Sequence, residues 1–492
     1  MTPARTIALP IRLLRNRWFL WLAPSVCLLA LFVPGVWEGD FRTDSHAYAA
    51  VTCALLDGHW EGGWLGPRMG HAPYFNKPPL TFWLAAPFVA IAGGAGNPLG
   101  VLIAVRAASA VALVGAAIAS FGLWRTLTDR KTAYVATIIL VLTHEVFRYS
   151  HAFSLDTWLL CFVTTGLWFL AMSAQRGGRS AWHFAIASGV AVGLGLMVKP
   201  VVALLAIVIG ALWMATARDR AHGLLRCAIA LGVALIVAAP WHVWISLNID
   251  RFADQYFVRE SLDRATGEGF GTAPWWTYFS ELAKTYWPWL AALVGGAIAA
   301  PIVRPRVNER TRTTLSLAIA WTGVWLLVLT LFADKRARYL VPMYPAASLL
   351  VCFSLRRLFR RQIRRATLIG AARAPVAVVG VSIILTALSA AGVVQIHRPL
   401  AAWKPEIVQV LRDEQLLDRA WIFPQHERDG ANVYLYGGIA PRVVGINGEP
   451  EPGDALLDFS REELPAEHRA WLDRGENLGT IGRCRVYVIE EP

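Results

Sequence analysis

Apolar runs of nearly twenty residues recur from Trp18 to about Val394, separated by short arginine-rich stretches. A run of that length is what crosses the roughly 30 Å of hydrocarbon in a bilayer, so the chain is predicted to be an α-helical polytopic membrane protein. At 492 residues it could otherwise be about three soluble domains, but 56% hydrophobic against 16% charged residues does not suit them. The last hundred residues differ. From Ile396 to Pro492 no stretch can span, and acidic runs such as Glu462-Glu463 appear. The expected division is a membrane domain over 1–396 and a small water-exposed α/β domain over 397–492. In that tail, Pro405 to Leu417 has helical spacing of apolar residues. Trp421-Ile422-Phe423, Val433-Tyr434-Leu435, Arg442-Val443-Val444 and Val486-Tyr487-Val488 read as short strands, and Ser460-Arg461-Glu462-Glu463 as a capping box opening a helix.

The formal charge of +13 lies in loops flanking the apolar runs instead of on one basic face, which argues against nucleic acid as a partner. The six cysteines form no C-x-x-C and no Cys/His ligand spacing, so neither a disulfide scaffold nor a zinc site is signalled. Arg5, Arg12, Arg15 and Arg17 precede an apolar run that lacks a small-x-small cleavage site, and this run reads as an uncleaved first span.

Those arginines also orient the chain. If the amphipathic stretch Pro79 to Gly94 lies along the membrane surface, every basic loop falls on one side, as the positive-inside rule requires. About eleven spans result, near 18–36, 100–124, 132–148, 157–174, 181–198, 200–217, 226–247, 285–303, 314–333, 339–355 and 374–394. The odd count puts the tail outside the cytoplasm, together with outer loops at 38–99 and 248–284 and the turn Asp334 to Arg338. Tryptophans and prolines in these segments, as in Pro274-Trp275-Trp276, suit a membrane-interface belt.

Ionisable groups at the outer edge of a span are costly to desolvate, and four places hold them. Asp40 to Tyr48 follows the first span, where the carboxylate of Asp44 could act as a base or orient a hydroxyl; the plainer reading is a helix cap. In Tyr74-Phe75-Asn76-Lys77-Pro78-Pro79-Leu80 the lysine could bind a lipid phosphate or simply snorkel to the headgroups. Arg148, His151 and Asp156 form the third place, and Asp334-Lys335-Arg336-Ala337-Arg338-Tyr339 the fourth. Arg106 and Lys199 also lie at outer span ends, and a structural carboxylate partner is the plain alternative for both. A site with acids, cations and phenols at the outer leaflet fits a lipid carrying a phosphate. No phosphate-cradling G-x-x-x-x-G-K-[ST] occurs, so an activated group would arrive already attached to its carrier.

These residues, in the order Asp44…Tyr48, Tyr74-x-x-Lys77-Pro78-Pro79-Leu80, Arg106-Ala107-Ala108-Ser109-Ala110, Ser154-Leu155-Asp156, Val198-Lys199-Pro200, Pro240-Trp241, Pro274-Trp275-Trp276 and Lys335…Arg338-Tyr339-Leu340, resemble the GT-C integral-membrane glycosyltransferases. Within that group the aminoarabinose transferases of lipid A and the protein O-mannosyltransferases are the most similar. The resemblance runs from about residue 17 to about 355 and implies inverting transfer of a sugar from a polyprenyl phosphate to a membrane-associated acceptor, such as a glycolipid, another envelope glycan or a protein. It implies the bacterial cytoplasmic membrane as the location. It also implies that Asp44 and Asp156 are catalytic and that Lys77, Tyr48, Tyr74, Arg264 and Tyr339 bind the donor phosphate; Arg106, Lys199, Lys335 and Arg338, from their places at outer span ends, are additional candidates. No cofactor is required by the sequence, and the use of a divalent metal is left open. The chain departs from the family's first-loop pattern Asp-Glu-x-Arg-Tyr in reading Asp44-Ser45-His46-Ala47-Tyr48; Asn76 stands where an acid usually precedes the lysine, and Ser261 where a histidine is expected. Two rival readings stay open: a transporter or flippase of a lipid-linked or anionic substrate, and an inactive lipid-binding scaffold.

Overall fold

The computed structural model describes residues 16–41, 44–217, 219–250, 252–268, 272–298, 308–358, 361–398, 401–460 and 464–490. The chain separates into two compact units: Met1–Pro34 with Ser109–Val394, and Gly35–Ala108 with Gln395–Pro492. The second unit therefore contains the first long loop as well as the tail.

Among the described residues, six helices are long and apolar enough to cross a membrane: Pro98–Leu127, Leu155–Gln175, Arg220–Asn248, Glu309–Leu331, Ala337–Leu358 and Leu368–Ala390. Each matches an expected span. The other five expected spans fall on helices shorter or less apolar than these six: Arg17–Phe32, Arg130–Val141, Gly178–Leu196, Leu205–Ala215 and Trp287–Ile298. Polar residues start several of them by accepting hydrogen bonds from otherwise orphaned backbone N–H groups: Asn16 from Trp18, Asp129 from Lys131 and Thr132, Asn308 from Thr311.

Small residues set the packing of the first unit. Leu155–Gln175 lies against Gly178–Leu196, which in turn lies against Arg220–Asn248. A Cβ at Gly189 would stand 2.5 Å from the carbonyl oxygen of Ala230, and one at Gly193 would stand 2.8 Å from that of Ala234. The Gly-x-x-x-Gly spacing thus lets two backbones approach more closely than any side chain allows. Ser188 Oγ donates to the carbonyl of Gly166 at 2.8 Å, fixing the other side of the same helix.

In the second unit, Ser45–Leu56 and Leu80–Ile91 are twelve-residue helices. At 1.5 Å per residue each is about 18 Å long, too short to cross the hydrocarbon, so the stretch after Pro79 folds as a helix without the length of a span. Strands β1 (Arg68–Met69) and β2 (Ala72–Pro73) form a small antiparallel hairpin. The tail forms a five-stranded mixed sheet from β3 (Ala420–Ile422), β4 (Arg442–Val443), β5 (Ala455–Asp458), β6 (Gly475–Ile481) and β7 (Cys484–Ile489), in the order β4-β3-β5-β7-β6. β3 runs parallel to β4 and β5, whereas β7 is antiparallel to both β5 and β6.

The expected helix at Pro405 is present as Trp403–Asp413, but the strand expected at Val433-Tyr434-Leu435 is part of the helix Glu427–Gly437. The three apolar residues there are consecutive, which hid a helix that Glu427 and Asp429 open and Gly438, at φ 83°, closes in the left-handed conformation. The capping box loses its test because 461–463 lie outside the described residues; the described helix begins at Ala466.

Asp458 ends β5 almost fully buried, accepting from the backbone N–H of Ser460 at 2.9 Å and facing His426 at 3.4 Å and Arg485. Burial works to raise its pKa. The hydrogen bonds from His426 and Ser460 and the charge of Arg485 outweigh it, and hold the carboxyl well below the usual carboxylate range.

Candidate active site

In the first unit, Ser154 caps the helix Leu155–Gln175 by accepting from the backbone N–H of Asp156 at 3.2 Å. This places the Asp156 carboxylate in the first turn, where the helix dipole favours negative charge, although the residue is only 2% exposed. Lys199 Nζ lies 2.8 Å from Oδ1 of Asp156, and Arg338 Nε lies 3.8 Å from Oδ2. The ring of Tyr339 sits beneath the same ammonium, 4.0 Å from it. That ring is positioned in turn by Trp325, whose indole N–H donates to the Tyr339 carbonyl at 2.8 Å. Lys199 reaches the pair from the sharp Val198-Lys199-Pro200 turn, in which the next residue, Val201, adopts φ 62°. A β-branched residue in that region is strained, so surrounding packing must enforce the turn that presents the lysine.

Three residues near this cluster have other attachments. Lys335 donates to the carbonyls of Phe332 and Ala273, bracing the turn. Arg336 pairs with Asp334 at 2.7 Å. His151 stands between Ser150 Oγ at 2.9 Å and the carbonyl of Pro34 at 3.1 Å. Arg264 begins a helical turn, Arg264–Thr266, but its side chain lies outside the described residues.

In the second unit, Asp44 occupies the N-cap position of Ser45–Leu56 yet makes no capping hydrogen bond through its side chain. Its carboxylate turns instead to the Tyr48 hydroxyl at 3.5 Å and to Arg428 at 3.3 Å. Tyr48, Tyr74 and Lys77 are all buried, and Tyr48 and Tyr74 both pack on Phe82, the latter edge to face at 6.0 Å. Arg106, 1% exposed, donates to the carbonyls of Val36 at 2.6 Å and Glu38 at 2.9 Å, and so ties down the entry to the first loop.

Two residues escaped the reading of the sequence. Arg428 is 384 positions from Asp44, and nothing in the local pattern announces the pairing. Glu145 is 1% exposed and faces Arg148 at 3.4 Å, while its second carboxylate oxygen is buried without a hydrogen-bond partner. An acid flanked by His144 and Arg148 at the end of an apolar run was the available signal. Among the described residues no group of three or more His, Cys, Asp or Glu side chains could hold a metal ion.

Residues 76–244 match the family model described as dolichyl-phosphate-mannose-protein mannosyltransferase. The chain superposes on ArnT from Cupriavidus metallidurans bound to undecaprenyl phosphate with a TM-score of 0.69 at 16% identity, over 96% of this chain and 98% of that one. At that identity the likeness is one of fold. The chain also superposes on the Archaeoglobus fulgidus oligosaccharyltransferase in its apo form, with a TM-score of 0.53 at 11% identity over 88% of this chain and 65% of that one. In sequence it is 27% identical over 345 residues to an undecaprenyl phosphate-alpha-4-amino-4-deoxy-L-arabinose arabinosyl transferase of Pseudomonas fluorescens, covering 68% of this chain and 59% of that protein. A relative of the same description from Pseudomonas paraeruginosa is 27% identical over 401 residues, covering 79% of this chain and 68% of that protein.

Proposed function

We propose that the chain is an inverting glycosyltransferase of the bacterial cytoplasmic membrane, moving a sugar from a polyprenyl-phosphate carrier to a membrane-associated acceptor such as lipid A. The arabinosyl transferase relatives and the family match support the donor class, and the Asp156 cluster carries the reading on this chain's own residues. In the reaction the bond from the anomeric carbon to the carrier's phosphate oxygen breaks as a bond to an acceptor oxygen forms on the opposite face. The polyprenyl phosphate leaves with the bonding electrons, so negative charge grows on its oxygen. Cations held in place before the reaction stabilise that charge without reorganising. Lys199 is such a cation: its position is fixed by Asp156 on one side and the Tyr339 ring on the other. Arg338 is the second, farther from the carboxylate.

In this reading Asp156 orients these cations, and Asp44 is the group that acts on the substrate. With a hydroxyl acceptor Asp44 takes its proton; with a phosphate acceptor no base is needed, and Asp44 instead stabilises positive charge on the sugar ring. Lys77, Tyr48, Tyr74, Arg264 and Tyr339 keep the phosphate-binding roles that the family resemblance implies, with Arg106 and Lys335 as structural supports. The portion 397–492 is assigned to the outer side of the membrane, after a membrane portion over 1–396.

The test is transfer of radiolabelled sugar from a polyprenyl-phosphate donor in vesicles holding the purified protein, combined with mass spectrometry of lipid A and other envelope glycans from cells with and without it. One added sugar mass that depends on both Lys199 and Asp44 supports the reading; transport of the donor without any transfer overturns it.

A further inference from the structure

A second charged cluster lies within the first unit, at the far ends of its helices. Arg17 opens Arg17–Phe32, Arg125 lies in the last turn of Pro98–Leu127, Arg130 opens Arg130–Val141 and Arg176 caps the end of Leu155–Gln175. All four line one cavity of about 430 Å³. Because Asp156 begins the helix that Arg176 ends, this cavity is about 30 Å, one hydrocarbon thickness, from the proposed chemistry.

The four guanidinium groups have no carboxylate within ion-pair distance among the described residues. Residues 1–15 include three more arginines and not one acid. Other arginines at ends of this unit's helices are satisfied by the protein: Arg310 donates to the carbonyls of Leu127 and Thr128, and Arg356 bonds to Thr132 and faces Asp129 at 3.7 Å. Around the cavity, by contrast, Arg17 lies over the Trp18 ring at 5.1 Å and Arg176 over the Phe184 ring at 5.9 Å, and the polar lining besides the arginines is the neutral pair Thr126 and Gln175. Four like charges converging from four helices repel one another unless an anion lies among them.

The walls indicate which anion. Trp21, Phe121 and Met172 line the same cavity, and on the helix carrying Trp21 the side chains of Trp18 and Leu22 are 62% and 58% exposed. Apolar surface thus continues outward from the charged mouth, a pairing that suits an amphiphile better than a free ion. We propose that this cavity holds the phosphate of an anionic phospholipid, with its acyl chains lying along Trp18 and Leu22. This site is separate from that of the sugar donor.

The test is native mass spectrometry of the full-length protein released from detergent after incubation with equal amounts of phosphatidylglycerol and phosphatidylcholine of matched acyl chains. Retention of phosphatidylglycerol is expected to exceed that of phosphatidylcholine by about tenfold. The preference should be lost in Arg125→Gln/Arg176→Gln and in a second pair, Arg17→Gln/Arg130→Gln, but persist in Arg220→Gln, a control on a helix outside the cavity. Melting curves in phosphatidylcholine nanodiscs identify whichever pair folds as the wild type does. Equal retention of the two lipids overturns the proposal, as does a preference that survives in a folded pair variant or disappears equally in Arg220→Gln. If millimolar inorganic phosphate raises the melting temperature as much as phosphatidylglycerol does, the site takes a free ion and the lipid assignment fails.

Discussion

Asp156 and Asp44 are both acids at the start of a helix, and the protein treats them in opposite ways. Asp156 is buried, donates its backbone N–H to the capping Ser154 Oγ, and is locked to Lys199 at 2.8 Å. Asp44 makes no capping bond through its side chain, and its contacts include Tyr48 at 3.5 Å and Arg428 at 3.3 Å. A carboxylate in a tight buried pair is a poor base but a good anchor, and Asp44, with 20% of its side chain exposed against 3% for Asp156, is the more accessible of the two. In the proposed function the first acid orients the cations and the second meets substrate.

The largest effect should come from Asp44→Asn. Sugar transfer in the vesicle assay is expected to fall by about 10³-fold with an unchanged melting temperature; retained transfer would erase the contrast between the two acids. Asp156→Asn should differ in kind, because it leaves the ammonium of Lys199 without its partner. A loss of about 3 kcal/mol of stability is expected alongside lost activity, with stability partly regained in Asp156→Asn/Lys199→Met. Thermal unfolding in detergent checks this, and a variant as stable as the wild type would show that the pair is no anchor. Arg428→Gln removes a half-exposed partner and should lower transfer by only about threefold while leaving the fold intact. A larger drop would mean that Arg428 matters more to Asp44 than an exposed ion pair does.

The smallest effect concerns the tail. Asp458 has a depressed pKa in the folded protein, so its contribution is complete above the unfolded value near 4 and is lost as pH falls through that range towards the lower folded value. Hydrogen exchange of β5 and β7 between about pH 5 and pH 3 should report this loss, and Asp458→Asn should flatten it. An equally steep acid dependence in the variant would assign the effect to other carboxylates.

Six of the spans were legible because a hydrocarbon crossing imposes a length and a composition that their helices meet. Lys199 and Asp156 were each visible as charges at span ends, but their pairing across 43 positions depends on helix packing that no local pattern encodes. Local pattern misled at Val433-Tyr434-Leu435, where three consecutive apolar residues fit a strand as well as a buried helix face. Arg428 was illegible altogether: it lies in the tail, while its acid follows the first apolar helix.

The second unit is assembled from two stretches of chain with nearly three hundred residues between them. Glu38 accepts hydrogen bonds from the backbone N–H groups of Ile396 and His397, and Tyr434 reaches Asp57, so the early stretch is completed by the late one. At ordinary rates of synthesis the wait between them is on the order of tens of seconds. During biogenesis Lys77 and Asp44 emerge long before the partners that finish their surroundings, which makes the last hundred residues the clock that sets when this part of the protein can become active.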